Sequence, residues 1–148
     1  NDESNRKLVW RFKDGAYSSG LTYLKEFLYG NYTHDEMRTL TICVIPASTQ
    51  HKNDIRFKPL FKAICDTFPL NNGYNLITIE NDRTDSREHK IDNTIQNLKF
   101  SQLINGKRII LFDDITTRGT SFTQVANQLK QKGAISVIGF FLGKTYNL

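Results

Sequence analysis

"IILFDDITTRGTSF", residues 109–122, is the stretch on which the reading of this chain turns. Ile109, Ile110, Leu111 and Phe112 form an unbroken apolar run, as expected of a strand covered on both faces. The run ends on two adjacent carboxylates, Asp113 and Asp114. A segment rich in Thr, Arg, Gly and Ser follows, and apolar residues then return at helical spacing with Phe122, Val125, Ala126 and Leu129. Acidic residues before a helix favour its dipole, and Thr and Ser are common caps, so a bare acidic pair with hydroxyls has a purely structural explanation. The whole sequence of strand, acidic pair, hydroxyl-rich glycine loop and amphipathic helix is more specific.

The same grammar repeats outward. "TLTICVIP" (39–46) reads as a buried strand stopped by a proline, and "KRIILFDD" (107–114) and "AISVIGFFLG" (134–143) as two more. "YNLITIE" (74–80) is a further strand after the turn "PLNNG" (69–73), and "LVWRFKDG" (8–15) a short one. Leu21, Leu24, Phe27 and Leu28 mark a helix stopping at Gly30. Phe57, Leu60, Phe61, Ile64, Cys65 and Phe68 mark another, in which Pro59 must lie in the first turn or introduce a kink. The helix after 122 closes at Gly133. Strands alternating with helices, several apolar throughout, predict an α/β fold with a doubly wound parallel sheet.

At 148 residues, 39% hydrophobic and 24% charged, the chain fits one folded domain, with 1–7 a polar tail and 8–148 the domain. No apolar run approaches the roughly 20 residues that span a bilayer, so no membrane partner is expected. Asn1 opens the chain and Met37 is its single methionine, as expected of a trimmed chain or a piece of something longer. The net charge of +5 fits a binder of phosphates, nucleotides or nucleic acid, and equally a generally solvated basic surface. Nucleic acid has weak support, since aromatic and basic residues do not alternate along one strand. Cys43 and Cys65 lack partners at metal spacing and read as buried free thiols, which points to the cytoplasm. "GFFLGKT" (139–145) is no P-loop: its glycines enclose three residues rather than four, and those three are strand-like.

In a parallel α/β sheet, ligands bind beyond the carboxyl ends of the strands. Asp113 and Asp114 are acceptors suited to paired hydroxyls or a hydrated metal ion. Thr117–Ser121 precede a helix whose first N–H groups suit an anion, and Gly119 permits close approach. Hydroxyls at one end and a phosphate at the other suit a ribose 5-phosphate.

On these residues the chain resembles the type I phosphoribosyltransferases, whose signature for 5-phosphoribosyl 1-pyrophosphate (PRPP) has four apolar residues, an acidic pair and a threonine-glycine phosphate loop. The resemblance is closest to the ComF-like branch, with Thr116 in place of a hydrophobic residue and Arg118 in place of a threonine. "CVIPAST" is similar to the strand leading into the family's pyrophosphate loop, and "VANQLKQKGAISVIGFFLGKT" to the helix, turn and strand after the signature.

The resemblance implies a type I phosphoribosyltransferase fold with a small variable hood, here the segment around Trp10 to Tyr17. It implies that Asp113 and Asp114 hold ribose hydroxyls, and that Thr116, Thr117, Arg118, Gly119, Thr120 and Ser121 surround the 5-phosphate. Ala47 and Ser48 would offer backbone groups to pyrophosphate. Mg²⁺ would be held mainly by PRPP or pyrophosphate and water, with Asp113 and Asp114 as the available protein ligands. The segment 81–93 has a single apolar residue, Ile91, and corresponds to the family's mobile loop. There Arg83 and Arg87 are the candidate catalytic cations. Lys52 is a candidate pyrophosphate contact, with a solvated lysine the equal alternative, and Lys144 a candidate reader of the base. The expected partners are PRPP, pyrophosphate or a nucleoside monophosphate, and a homodimer is in keeping with many relatives. Two functions stand open: transfer of ribose 5-phosphate to a nitrogenous acceptor, or a non-catalytic role in sensing nucleotides or in DNA uptake and recombination.

Overall fold

The structure is a computed structural model, and it describes residues 18–80, 94–113 and 120–141. Its framework is a four-stranded sheet in which every pairing is parallel. Strand β1 (Leu40–Val44) pairs with β2 (Asn71–Asn72) on one side and β5 (Arg108–Asp113) on the other; β6 (Ser136–Phe141) follows β5, giving the order β2-β1-β5-β6. Helices α1 (Ser18–Asn31), α2 (His34–Met37), α3 (Gln50–Thr67) and α4 (Thr120–Gln131) complete the framework. The expected α/β architecture is therefore present.

Alternation along the two central strands divides the core. Leu40, Ile42 and Val44 of β1, with Ile110 and Phe112 of β5, face Leu24 and Leu28 of α1 and Phe57, Leu60, Phe61 and Ile64 of α3. Cys43 and Ile45, with Ile109 and Leu111, face Val125 and Leu129 of α4. Both faces are covered, so every residue of β1 is buried. This is why its sequence is almost wholly apolar instead of alternating, with Thr41 its single polar residue, itself buried.

Several expectations change. Of the two places expected for Pro59, the first turn of α3 is excluded: the residue lies in the helix interior, and the helix continues past it. Residues 55, 58 and 59 are exposed, so water can serve the Ile55 carbonyl that a proline cannot bond. The "PLNNG" segment supplies strand β2 itself. There the Asn71 side chain donates to the carbonyls of Arg38 and Leu40, both at 3.0 Å, and Gly73 N–H donates to Ile42 O at 2.8 Å. A Cβ at Gly73 would lie 2.6 Å from that same oxygen, so only glycine permits the approach.

"YNLITIE" does not join the parallel sheet. Tyr74–Leu76 form a 3₁₀ turn, and β3 (Ile77–Ile79) pairs antiparallel with β4 (Leu98–Phe100) in a separate two-stranded sheet. An apolar run encodes burial but not its partner. Strand β6 is half-buried rather than fully buried, with Ile138 37% exposed, and Cys65 is likewise only partly buried. The helix stop at Gly133 holds, with φ of +99°. The strand expected at 8–15 lies outside the described residues.

Candidate functional site

The connections leave the two central strands in opposite directions. From β1 the chain passes through α3 on one face to β2; from β5 it passes through α4 on the other face to β6. The direction of the connections reverses between β1 and β5, and in open α/β sheets such a switch point, beyond the carboxyl ends of the strands, is where ligands bind. Val44 pairs with Phe112, and Ile45 N–H still donates to Phe112 O at 2.9 Å. Just past this bond β1 gives way to "PAST" (46–49), and β5 ends at Asp113. The two stretches singled out in the sequence thus flank one switch point.

Asp113 is half-buried and registers with Phe141 of β6. It is carried by Phe112, which is fully buried among Phe57, Phe61 and Phe140 at ring-centroid distances of 5.8, 6.5 and 5.6 Å. Thr120 and Ser121 are the first two residues of α4. Asp114, Thr116, Thr117, Arg118, Gly119, Arg83, Arg87 and Lys144 lie outside the described residues.

On the β1 side, Thr49 caps α3, its hydroxyl accepting from Lys52 N–H at 3.1 Å. Lys52 Nζ donates to Ser48 Oγ at 3.3 Å, so these two candidates meet. Ala47 N–H is already donated, to Asn53 Oδ1 at 3.0 Å. Asn53 is 1% exposed, and its Nδ2 donates to the Tyr74 hydroxyl at 3.1 Å. That hydroxyl donates to Asp54 Oδ1, which also accepts from Gln50 Nε2 at 2.9 Å.

The Tyr74 hydrogen bond holds the Asp54 carboxyl below its usual range, while burial, reinforced by Asp54, pushes the Tyr74 phenol up. Burial also raises the Cys43 thiol, beneath the same strand, to about 12. Sequence reading overlooked Asn53, Asp54 and Tyr74. The available signal was Asn53 itself, a polar residue four before Phe57 and therefore on the buried face of α3.

Among the described residues, no three His, Cys, Asp or Glu side chains converge as a metal-binding group. No described helix is long and apolar enough to cross a membrane. A separate cleft of about 880 Å³ lies against β3, β4 and the end of α4, lined by Thr78, Glu80, Lys99 and Lys132 among others. It is not at the strand ends and holds none of the candidate residues.

No protein-family model and no curated protein matches the sequence. Solved structures do. An allosteric regulatory enzyme of purine biosynthesis is similar over 69% of this chain and 21% of its own, at 17% identity and a TM-score of 0.44. A hypoxanthine-guanine-xanthine phosphoribosyltransferase is similar over 93% and 62%, at 17% identity and 0.40. An HGPRT-ase from Leishmania tarentolae in complex with GMP is similar over 95% and 71%, at 15% identity and 0.40. The chain thus spans about a fifth of the first structure and under two thirds of the second.

Proposed function

We propose that this chain is a phosphoribosyltransferase-type domain of the ComF-like branch. It binds PRPP or a nucleoside 5-monophosphate with Mg²⁺ and transfers ribose 5-phosphate between pyrophosphate and a nitrogenous acceptor. The observation that carries the reading is the coincidence of signature and topology: the first five residues of "IILFDDITTRGTS" end β5, beside the switch point between β1 and β5.

In this reading Asp113 and Asp114 accept hydrogen bonds from the ribose hydroxyls. Residues 116–121 hold the 5-phosphate through N–H and hydroxyl donors. Pyrophosphate lies toward residues 47–48 and Lys52. Since Ala47 N–H is engaged by Asn53, Ser48 and the Lys52 ammonium are the stronger candidates on that side. Mg²⁺ fits a site with few carboxylates, because it keeps much of its water and readily takes phosphate oxygens. The bond from ribose C1 to pyrophosphate oxygen breaks with its electron pair leaving on pyrophosphate. The acceptor nitrogen then bonds C1 of the oxocarbenium-like ribose and releases its proton. Stabilising the leaving charge is the main demand, and Arg83 and Arg87 are assigned to it.

A thermal-shift screen of PRPP, pyrophosphate and nucleoside monophosphates with Mg²⁺ tests the binding. The parent should be stabilised, and the Asp113→Asn/Asp114→Asn double variant should lose most of that gain. Equal stabilisation of both proteins would refute the site. The second reading, a non-catalytic binder, is favoured by Arg118, which stands where the family has threonine. Catalysis requires that Arg83→Ala and Arg87→Ala slow turnover more than they weaken PRPP binding.

A further inference from the structure

We infer that Asn53 and Tyr74 are positioning residues: their buried hydrogen-bond chain holds the loop between β1 and α3 in the shape that receives pyrophosphate. The inference rests on the proposed function for the identity of the ligand, but the holding itself is independent of it.

Apart from Thr49, whose hydroxyl caps α3, the loop contributes little to its own shape. Pro46 cannot donate, Ala47 has no polar side chain, and Ser48 is engaged by Lys52. What meets it from below is Asn53, whose Oδ1 takes the Ala47 N–H at 3.0 Å. An amide on a freely rotating stem would define nothing. Here the other end of the amide is committed as well, through Nδ2 to the Tyr74 hydroxyl at 3.1 Å, which sets its orientation. The hydroxyl uses its whole capacity: it donates to Asp54 and accepts from Asn53 and, at 3.4 Å, from Gln50 Nε2. Tyr74 is itself anchored by an edge contact with Phe61 at 5.8 Å and by its N–H on Asn72 Oδ1 at 3.0 Å. Gln50 Oε1 also accepts from Ile79 N–H at 3.4 Å, which ties the start of α3 to the end of β3. Asn53 and Tyr74 are buried, where a polar group is costly unless satisfied, so they hold one arrangement, while Asp54 and Gln50 form the partly exposed end of the chain.

Tyr74→Phe removes one oxygen and keeps the ring that packs on Phe61. Asn53→Ala removes the contact to Ala47 directly and serves as the second variant. Two measurements on the full chain decide the matter. Amide hydrogen exchange at Ala47 should accelerate about tenfold in either variant. With Mg²⁺ present, affinity for inorganic pyrophosphate and PRPP should fall about tenfold while affinity for ribose 5-phosphate stays at the parent value. A purely structural role would lower all three affinities together, and that result would overturn the inference. So would unchanged exchange at Ala47. A parent that binds none of the three ligands overturns the proposed function and the pyrophosphate assignment with it; exchange at Ala47 then still decides whether the chain holds the loop.

Discussion

The two strand-to-helix junctions at the head of the sheet are built on different plans. After β5 the candidate residues are contiguous in sequence: Phe112 fills the core, Asp113 ends the strand, and hydroxyl-bearing residues run from 116 into the first turn of α4. After β1 the loop is chemically sparse and depends on side chains from α3 and from Tyr74, twenty-seven positions beyond Ala47. Groups that touch a ligand can sit side by side in the chain. Groups that hold a backbone in place need only meet in space.

The contrast can be broken hardest at Phe112. Its ring lies among three other aromatic rings directly beneath Asp113, and Phe112→Ala should cost about 3–5 kcal/mol in urea unfolding. A loss below about 1 kcal/mol would mean that the cluster does not anchor the β5 end.

Alkaline pH should load the β1 side next. The folded Cys43 thiol titrates near 12, above its unfolded value, so its stabilising contribution is complete below the unfolded pKa and is lost as pH rises toward 12. Over that window stability should fall by about 1.4 kcal/mol per pH unit for this group. Tyr74 is raised in the same sense and adds its share above about pH 10. Cys43→Ala should lessen the decline from about pH 9 upward, leaving the share of Cys65, whose thiol burial raises to about 11. Tyr74→Phe should lessen only the part above about pH 10. Denaturant midpoints across that range distinguish them.

The smallest effect belongs to the cap of α3. Thr49→Ala removes the acceptor of Lys52 N–H and should cost about 1 kcal/mol, whereas Thr49→Ser should stay near the parent. A larger loss for alanine would mean that Thr49 also supports the loop before it.

Much of the framework was legible from period and punctuation. Strands β1 and β5 announced themselves as apolar runs, α1 and α4 as amphipathic stretches, and Gly133 as a stop. Reading failed where pairing mattered. "NNG" looked like a turn because Asn and Gly favour turns, yet it pairs with β1 through Asn71 side-chain bonds and a glycine approach. "LITIE" looked like a sheet strand and is one, but of a different sheet. Pro59 was open between the first turn and a kink; it lies in the interior of α3, where its exposed position lets the helix pass.

The sequence by itself determined the kinds of element, their order, and the acidic pair at the end of a buried strand, because hydrophobic period and local backbone chemistry act over a few residues. Only the tertiary structure decided that β1 and β5 are neighbours with connections leaving in opposite directions, which makes their ends a topological switch point. It alone also brought Tyr74 beneath Asn53 and Asn53 beneath Ala47. Those contacts join residues far apart along the chain. They exist because a buried polar atom must find its partner wherever the packed core offers one.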